Sequence, residues 1–371
     1  MRKAVINAMK QFNPTQQTIC FYIHHHGAGH LMRAVSIAAV LQGFKIIFLG
    51  SNLRPYAGLI ADEIECIHLS SDVPAENDLH FSVHSLTFLH YAPLDVAGQR
   101  ERIALLTAIF KETYPMLLIV DVSVEITLLA RLCGIPSIVI RQHGKRDDLP
   151  HTNAYESAEL LIAPFSAAMA PLGEKPWISA KTLYAGGFSK YSNWKGSDVN
   201  EETADQVAVV LGQGGSSINI QFIHHLADCC KNYNFHVIGL RAAVDTDARH
   251  NVIWHGQLDD PITILRYCKV VIGNAGHNTV MEMADLNKRF ICIPENRPFD
   301  EQLQKAELLA ANGNAMVVKA GDLNLLNWPE ALNTMAGKQP DWKGVTDKSA
   351  LGNIAGAIHH TMERIYGKPV S

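Results

Sequence analysis

His30 stands in the segment His26-Gly27-Ala28-Gly29-His30-Leu31-Met32-Arg33. A second histidine, His277, stands in Gly273-Asn274-Ala275-Gly276-His277-Asn278-Thr279-Val280-Met281-Glu282. Each segment follows an apolar run and opens a stretch with helical spacing of apolar residues, the pattern of a strand, a tight turn and a helix start. Such a junction aims unpaired backbone N–H groups and the positive end of a helix dipole at one point, which suits an anion such as phosphate. A histidine there is also a candidate proton acceptor near neutral pH, and His30 is the strongest such candidate in the chain. Arg33, one turn further on, is suited to a phosphate or to pairing with an acid. Two sites of this kind predict a cleft between two domains.

The elements that must position these residues alternate strand and helix. Strands are expected at 18–23, 45–49, 66–69, 116–120, 137–140, 160–163 and 182–184, with helices at 31–41, 100–110 and 124–132. After a polar, Gly- and Ser-containing stretch the alternation restarts, with strands at 207–211, 235–240, 251–254, 270–272, 289–293 and 315–318. Helices in that half are expected at 218–230, 261–267, 278–285 and 301–312. Continuous apolar strands between helices imply parallel sheets covered on both faces. The fold class is therefore α/β, with two Rossmann-like domains facing a cleft: residues 1–188, a linker at 189–206, and 207–345. A last helix within 346–371 is placed to return to the first domain.

Composition narrows the function classes. With 371 residues the chain is long enough for two cores, and 47 % apolar with 18 % charged residues marks a globular protein. A net charge of -4 supplies no basic field for nucleic acid. Seven cysteines without a C-x-x-C pair read as reduced core residues, and no stretch approaches the roughly 18 apolar residues of a membrane span. A cytoplasmic protein is expected, with peripheral contact at the inner membrane face left open. Metal-like patterns carry little weight. Adjacent His24, His25 and His26 cannot all point one way, Asp245-Thr246-Asp247 lies in a polar turn, and His224-His225 lies on a helix. No metal and no cofactor beyond substrate is expected, and no Gly-x-Ser-x-Gly elbow is present.

The chain resembles the GT-B glycosyltransferases, closest to the MurG-like group and more distantly the UDP-glycosyltransferases. The residues that carry the resemblance are Gly212-Gln213-Gly214-Gly215-Ser216, Gly276-His277-Asn278-Thr279-Val280-Met281-Glu282, and Pro294 followed by Phe299-Asp300-Glu301-Gln302. In the first half they are Gly27-Ala28-Gly29-His30 and the stretch from Ile135-Pro136 through Gln142-His143-Gly144. The resemblance implies a nucleotide-sugar site of Gly29, Arg33, Gly214, Gly215, Ser216, Leu258, Gly276, His277, Asn278, Thr279, Glu282, Asp300 and Gln302. Glu282 would grip the ribose hydroxyls, the backbone around Asn278 and Thr279 the diphosphate, and Asp300 and Gln302 the sugar. Hydrogen bonds to a charged group contribute about 1.5 to 3 kcal/mol each against roughly 0.3 to 1 for a helix dipole, so specific donors should dominate. By the same resemblance Asp121, at the end of a first-half strand, orients His30 as base. Strand ends of an open parallel sheet converge, which allows the two to meet. For Asp121, Asp300 and Gln302, capping of a nearby helix is the competing role.

The expected reaction is an inverting, metal-independent transfer of a sugar from a nucleotide diphosphate, UDP first among candidates, to a hydroxyl acceptor, lipid- or glycan-linked acceptors included. One departure bears on the acceptor: where the MurG group has His-Glu-Gln-Asn, this chain has Ile140-Arg141-Gln142-His143. The segment 79–93, with Phe81, Phe88, Tyr91 and three histidines, is expected to shape the acceptor side instead. Gly29-His30-Leu31-Met32-Arg33 also resembles the loop of UDP-sugar hydrolases in nonulosonic acid synthesis, so hydrolysis is the alternative within enzymes. A non-catalytic sugar-nucleotide-binding protein is the alternative outside them.

Overall fold

The computed structural model describes residues 16–24, 29–171, 173–192, 194, 202–212, 214–240 and 249–367. His25, His26, Gly27, Ala28, Gln213 and the Asp245-Thr246-Asp247 turn lie outside them.

The first half runs β1 (Thr18–Ile23), α1 (Gly29–Ala38), β2 (Lys45–Gly50), β3 (Glu65–His68), α2 (Ala97–Glu112), β4 (Met116–Asp121), α3 (Val124–Leu132), β5 (Ser137–Ile140), α4 (Leu149–Ser157), β6 (Leu160–Ala163), α5 (Pro176–Lys181) and β7 (Thr182–Tyr184). Its seven strands form one sheet in the order β3-β2-β1-β4-β5-β6-β7, every neighbouring pair parallel. β1 and β4 are buried along their whole length. Helix α1 covers one face through Leu31, Ala34 and Ile37. On the other face α2 and α3 contribute Leu106, Ile109, Ile126 and Ala130. Burial from both sides is why these strands read as unbroken apolar runs.

The second half repeats the plan with β8 (Thr203–Val210), α6 (Ile220–Cys229), β9 (Asn234–Ile238), β10 (Val252–Gly256), α7 (Ile262–Tyr267), β11 (Cys268–Asn274), α8 (His277–Asp285), β12 (Arg289–Ile293), α9 (Glu301–Ala311), β13 (Ala315–Val317) and α10 (Trp328–Gly337). Its parallel sheet has the order β10-β9-β8-β11-β12-β13. The fold is α/β with two Rossmann-like sheets.

Two features set one sheet against the other. Phe165, Met169 and Tyr191 share an apolar cluster with Val280, Met281, Ala306 and Leu309 of α8 and α9, so the halves meet through a continuous core. The last helix, α11 (Ala350–Tyr366), lies against the first sheet rather than the second. There Ile354, Ile358 and Met362 pack beside Ile19 and Phe48, and the Tyr366 hydroxyl donates to the Met116 carbonyl at 2.8 Å. Strand order reverses between β1 and β4 in one sheet and between β8 and β11 in the other. At such a switch point the loops from adjacent strand ends diverge to opposite faces and leave a crevice.

Candidate active site

Ile23 lies opposite Asp121 in the β1–β4 register, so the end of β4 emerges beside the turn into α1. His30 Nδ1 lies 3.2 Å from Asp121 Oδ1, and Arg33 Nη1 donates to Asp121 Oδ2 at 2.6 Å. Burial alone would raise the Asp121 carboxyl; the Arg33 guanidinium and then His30 outweigh it and hold the group well below the usual carboxylate range. An ionised carboxylate only accepts, so the His30 nitrogen that faces it, Nδ1, carries a proton. Asp121 does not cap α3. That position belongs to Ser123, whose hydroxyl accepts from Ile126 N. Between them Val122 has φ 70°, a left-handed backbone unfavourable for a β-branched residue and found mostly where function demands it.

Gln142, just past β5, completes this wall. Its Nε2 donates to Asp121 Oδ1 at 3.3 Å and lies 3.4 Å from His30 Nδ1, while its Oε1 accepts from Arg146 Nη2 at 3.3 Å. The guanidinium thereby fixes which way the amide points. Arg146 Nη1 lies 2.9 Å from His151 Nε2, His151 Nδ1 lies 2.7 Å from Asp148 Oδ1, and His90 Nε2 lies 3.0 Å from Asp148 Oδ2. One hydrogen-bonded chain thus joins His30 to His90.

His90, Asp148 and His151 bring three donor atoms within 4.8 Å of one another, which makes them the cation-binding candidate among the described residues. The Arg146 contact argues against a cation. A metal on His151 Nδ1 requires Nε2–H, which would face another donor, and a metal on Nε2 would sit on the guanidinium charge. Burial, followed by Arg146, pushes the His151 imidazole down to about 4, so it is neutral at pH 7. Sequence reasoning overlooked this cluster. The one available signal was Asp148-Leu149-Pro150, a helix start with a capping acid and an early proline.

The facing wall comes from the second sheet. Gly215 has φ 80°, and the loop around it is tied down by Glu295, whose Oε1 accepts from Ser216 Oγ at 3.0 Å, Ser217 N at 2.6 Å and Asn274 Nδ2 at 2.9 Å. Arg297 reaches over the same loop to the Gly215 carbonyl. Gly276 is the N-cap of α8 and offers no side chain to its first-turn N–H groups. A Cβ placed on Gly29 would lie 3.6 Å from Asn278 Nδ2 and one on Gly276 3.7 Å from Thr279 Oγ1. The starts of α1 and α8 therefore abut.

His277 is held well below the usual imidazole range by burial and then by Arg33 and Lys305. Glu282, mid-way along α8, is pushed up to about 7 by burial, with partial relief from Lys190. Leu258 is half-buried against the second-half core. Asp300 pairs with Lys145 of the first half at 2.8 Å and makes no side-chain cap bond, and Gln302 Oε1 accepts from Glu295 N at 3.0 Å.

Between the walls lies a cavity of about 940 Å³ lined by His30, Gln142, His90 and Arg146 from the first half and Gly214, Arg297 and Phe299 from the second. His90 and Tyr91 bring the 79–93 segment into it, whereas Phe81 and Phe88 are exposed. Phe299 enters from the second half. Its ring lies 4.9 Å from that of His90 and 4.7 Å from that of His151, with the Arg146 guanidinium 5.0 Å from its centroid.

Comparison with known proteins agrees with this architecture. Residues 207–360 match the glycosyltransferase family 28 C-terminal domain. No curated protein sequence matches the chain. Among solved structures, the calicheamicin glycosyltransferase CalG4 superposes with a TM-score of 0.62 at 15 % identity, over 94 % of this chain and 99 % of that one. MurG of Acinetobacter baumannii does so with a TM-score of 0.55 at 15 % identity, over 92 % and 95 %. UGT2 of Phytolacca americana, solved with UDP-2-fluoro-glucose and pterostilbene, has a TM-score of 0.61 at 13 % identity, over 92 % and 94 %. The chain has the two-domain fold of the GT-B glycosyltransferases, and its second half is similar to the glycosyltransferase family 28 C-terminal domain.

Proposed function

We propose that this protein transfers a sugar from a nucleoside diphosphate donor, UDP-linked in the first instance, to a hydroxyl acceptor, with inversion and without a metal ion. The observation that carries the reading is a cavity lined by His30, whose Nδ1 lies 3.2 Å from Asp121 Oδ1, and by Gly214 of the glycine-rich loop, next to the point where the start of α8 abuts the start of α1. His30 takes the acceptor proton on Nε2 and Asp121 steadies the imidazolium that forms. The α8 amides and the Gly214–Ser216 loop stabilise the departing diphosphate, and Glu282 binds the ribose diol. Acceptor and donor are held on opposite walls, so the attacking oxygen approaches the sugar from the face away from the diphosphate. The acceptor lies against His90, Tyr91 and Arg146. Among the described residues no helix is long and apolar enough to cross a membrane, so a lipid-linked acceptor would be met at a membrane surface.

A thermal-shift panel of UDP, dTDP, GDP, CDP and ADP without added metal tests the donor half. A ligand at about 100 times Kd adds roughly 2.7 kcal/mol, a rise of a few degrees in Tm. A selective response identifies the base, and incubation with the matching nucleotide sugars then separates transfer from hydrolysis by whether free sugar appears without acceptor. No response to any diphosphate would overturn the proposal.

A further inference from the structure

Lys305, on α9, is fully buried, with no exposed surface. A lysine so placed loses its hydration, and a buried cation persists only where other charges or dipoles use it. Its Nζ has two acceptors, the Ala275 carbonyl and Glu301 Oε1, each at the long distance of 3.3 Å. Ala275 is the residue immediately before Gly276, so the ammonium sits beneath the start of α8. Arg33 reaches the same region from α1. It is 5 % exposed, its Nη1 is committed to Asp121, and its Nε has no hydrogen-bond partner. Both cations act on the His277 imidazole, which burial already keeps neutral. The two helix starts meet at Gly29 and Asn278. Two buried cations and two positive helix ends thus converge on one point, against the carboxylates of Asp121 and Glu301. Glu301 faces the cavity from the side.

We infer that Lys305 is a buried electrostatic determinant of donor binding, supplying positive charge from beneath α8 to the diphosphate of a nucleoside diphosphate, with Arg33 flanking it. This rests on the donor reading above. Lys305 does not touch the nucleoside, so its contribution is confined to the phosphates. A low-dielectric surround makes such a charge felt at a distance that water would screen. In the empty protein the ammonium also compensates the Glu301 carboxylate, so a neutral side chain in its place leaves that carboxylate without its partner.

The test is calorimetric affinity for UDP and for uridine, the latter by displacement, in wild type and in Lys305→Met and Lys305→Gln, with Tm recorded for each. The expected result is a tenfold or greater loss of UDP affinity, uridine affinity within twofold of wild type, and a Tm at or below wild type. Lys305→Arg, which keeps the charge, is expected to retain most of the UDP affinity; should the neutral variants fail to fold, Lys305→Met combined with Glu301→Gln, which removes the buried pair together, stands in and is read against Glu301→Gln alone. An unchanged UDP-to-uridine ratio in the neutral variants, or in the double variant relative to Glu301→Gln alone, overturns the role of Lys305 while leaving the donor reading intact. A wild type that binds neither UDP nor another nucleoside diphosphate overturns both.

Discussion

At the scale of single residues the proposed reaction divides proton transfer from binding. Asp121 is locked between Arg33 and His30, so its charge is already compensated and its main service is to fix the His30 tautomer. His30→Ala should therefore lower turnover about a hundredfold or more, the usual contribution of a general base, and leave nucleotide affinity within twofold. Steady-state rates beside calorimetric affinities decide this, and an unchanged rate excludes His30 as base. Glu282 gives a pH signature. Its carboxyl is pushed from 4.5 up to about 7 in the folded protein, so the folded state holds that proton more tightly than the unfolded chain. Its contribution to stability is whole below pH 4.5 and is lost as pH rises through about 7. Glu282→Gln should accordingly melt higher than wild type at pH 8, match it near pH 4.5, and bind UDP about tenfold more weakly. Melting curves at the two pH values check the first part, and equal Tm differences at both would sink it.

Elements meet across the cleft through two short segments. Lys145 N donates to the Phe299 carbonyl at 2.7 Å, Gly144 N donates to Gln304 Oε1 at 2.7 Å, and Lys145 pairs with Asp300. Phe299 and Asp300 both have left-handed backbones, at φ 61° and 56°, which cost about 1 to 2 kcal/mol per residue and are held in place by this clasp. Gly144 is required on two counts: its φ is +105°, and a Cβ there would lie 2.5 Å from the Phe299 carbonyl oxygen. Gly144→Ala should lower Tm by several degrees and speed proteolytic cleavage near residue 299, the place where the clasp opens. A variant as stable and as resistant as wild type would show that the two segments do not hold the halves together.

The whole molecule is tied together by a chain that returns to its start. Helix α11 follows the second sheet yet completes the core of the first, with Ile358 fully buried beside α1 and β1. Ile358→Ala removes a core side chain at a cost of about 2 to 5 kcal/mol. The damage should appear in the first half, although the substitution lies near the chain's end. Hydrogen exchange is expected to accelerate in β1 and β4 and to stay unchanged in β8 and β11. Acceleration in β8 alone would show that α11 belongs energetically to the second half.

The described strands overlap the apolar runs that predict them, because a parallel strand buried on both faces, as β1 and β4 are, must be apolar along its length, and that constraint is local. β8 departs from this, beginning at Thr203 within the stretch expected as linker, because its polar first residues are paired to the sheet without being fully buried. β3 alternates half-buried with exposed residues at the rim of its sheet. The helix starts at Gly29 and Gly276 are legible for a local reason as well, since glycine and the helix that follows are adjacent in the chain. The meeting of His30 with Asp121 follows from two strand ends at one switch point. Helix α4 is harder to see: its residues are half polar, and only the Asp148 cap and Pro150 mark it. The hydrogen-bonded chain through Gln142, Arg146, His151 and Asp148 is local to residues 142–151 but forms only once that loop turns into α4. Its link to His90, 58 residues away from Asp148, is made by packing alone. The same holds for Phe299 between His90 and His151, and for Lys305, a lysine whose sequence context is that of an ordinary exposed helix residue. Its burial beneath α8 is a consequence of two sheets closing on one cleft.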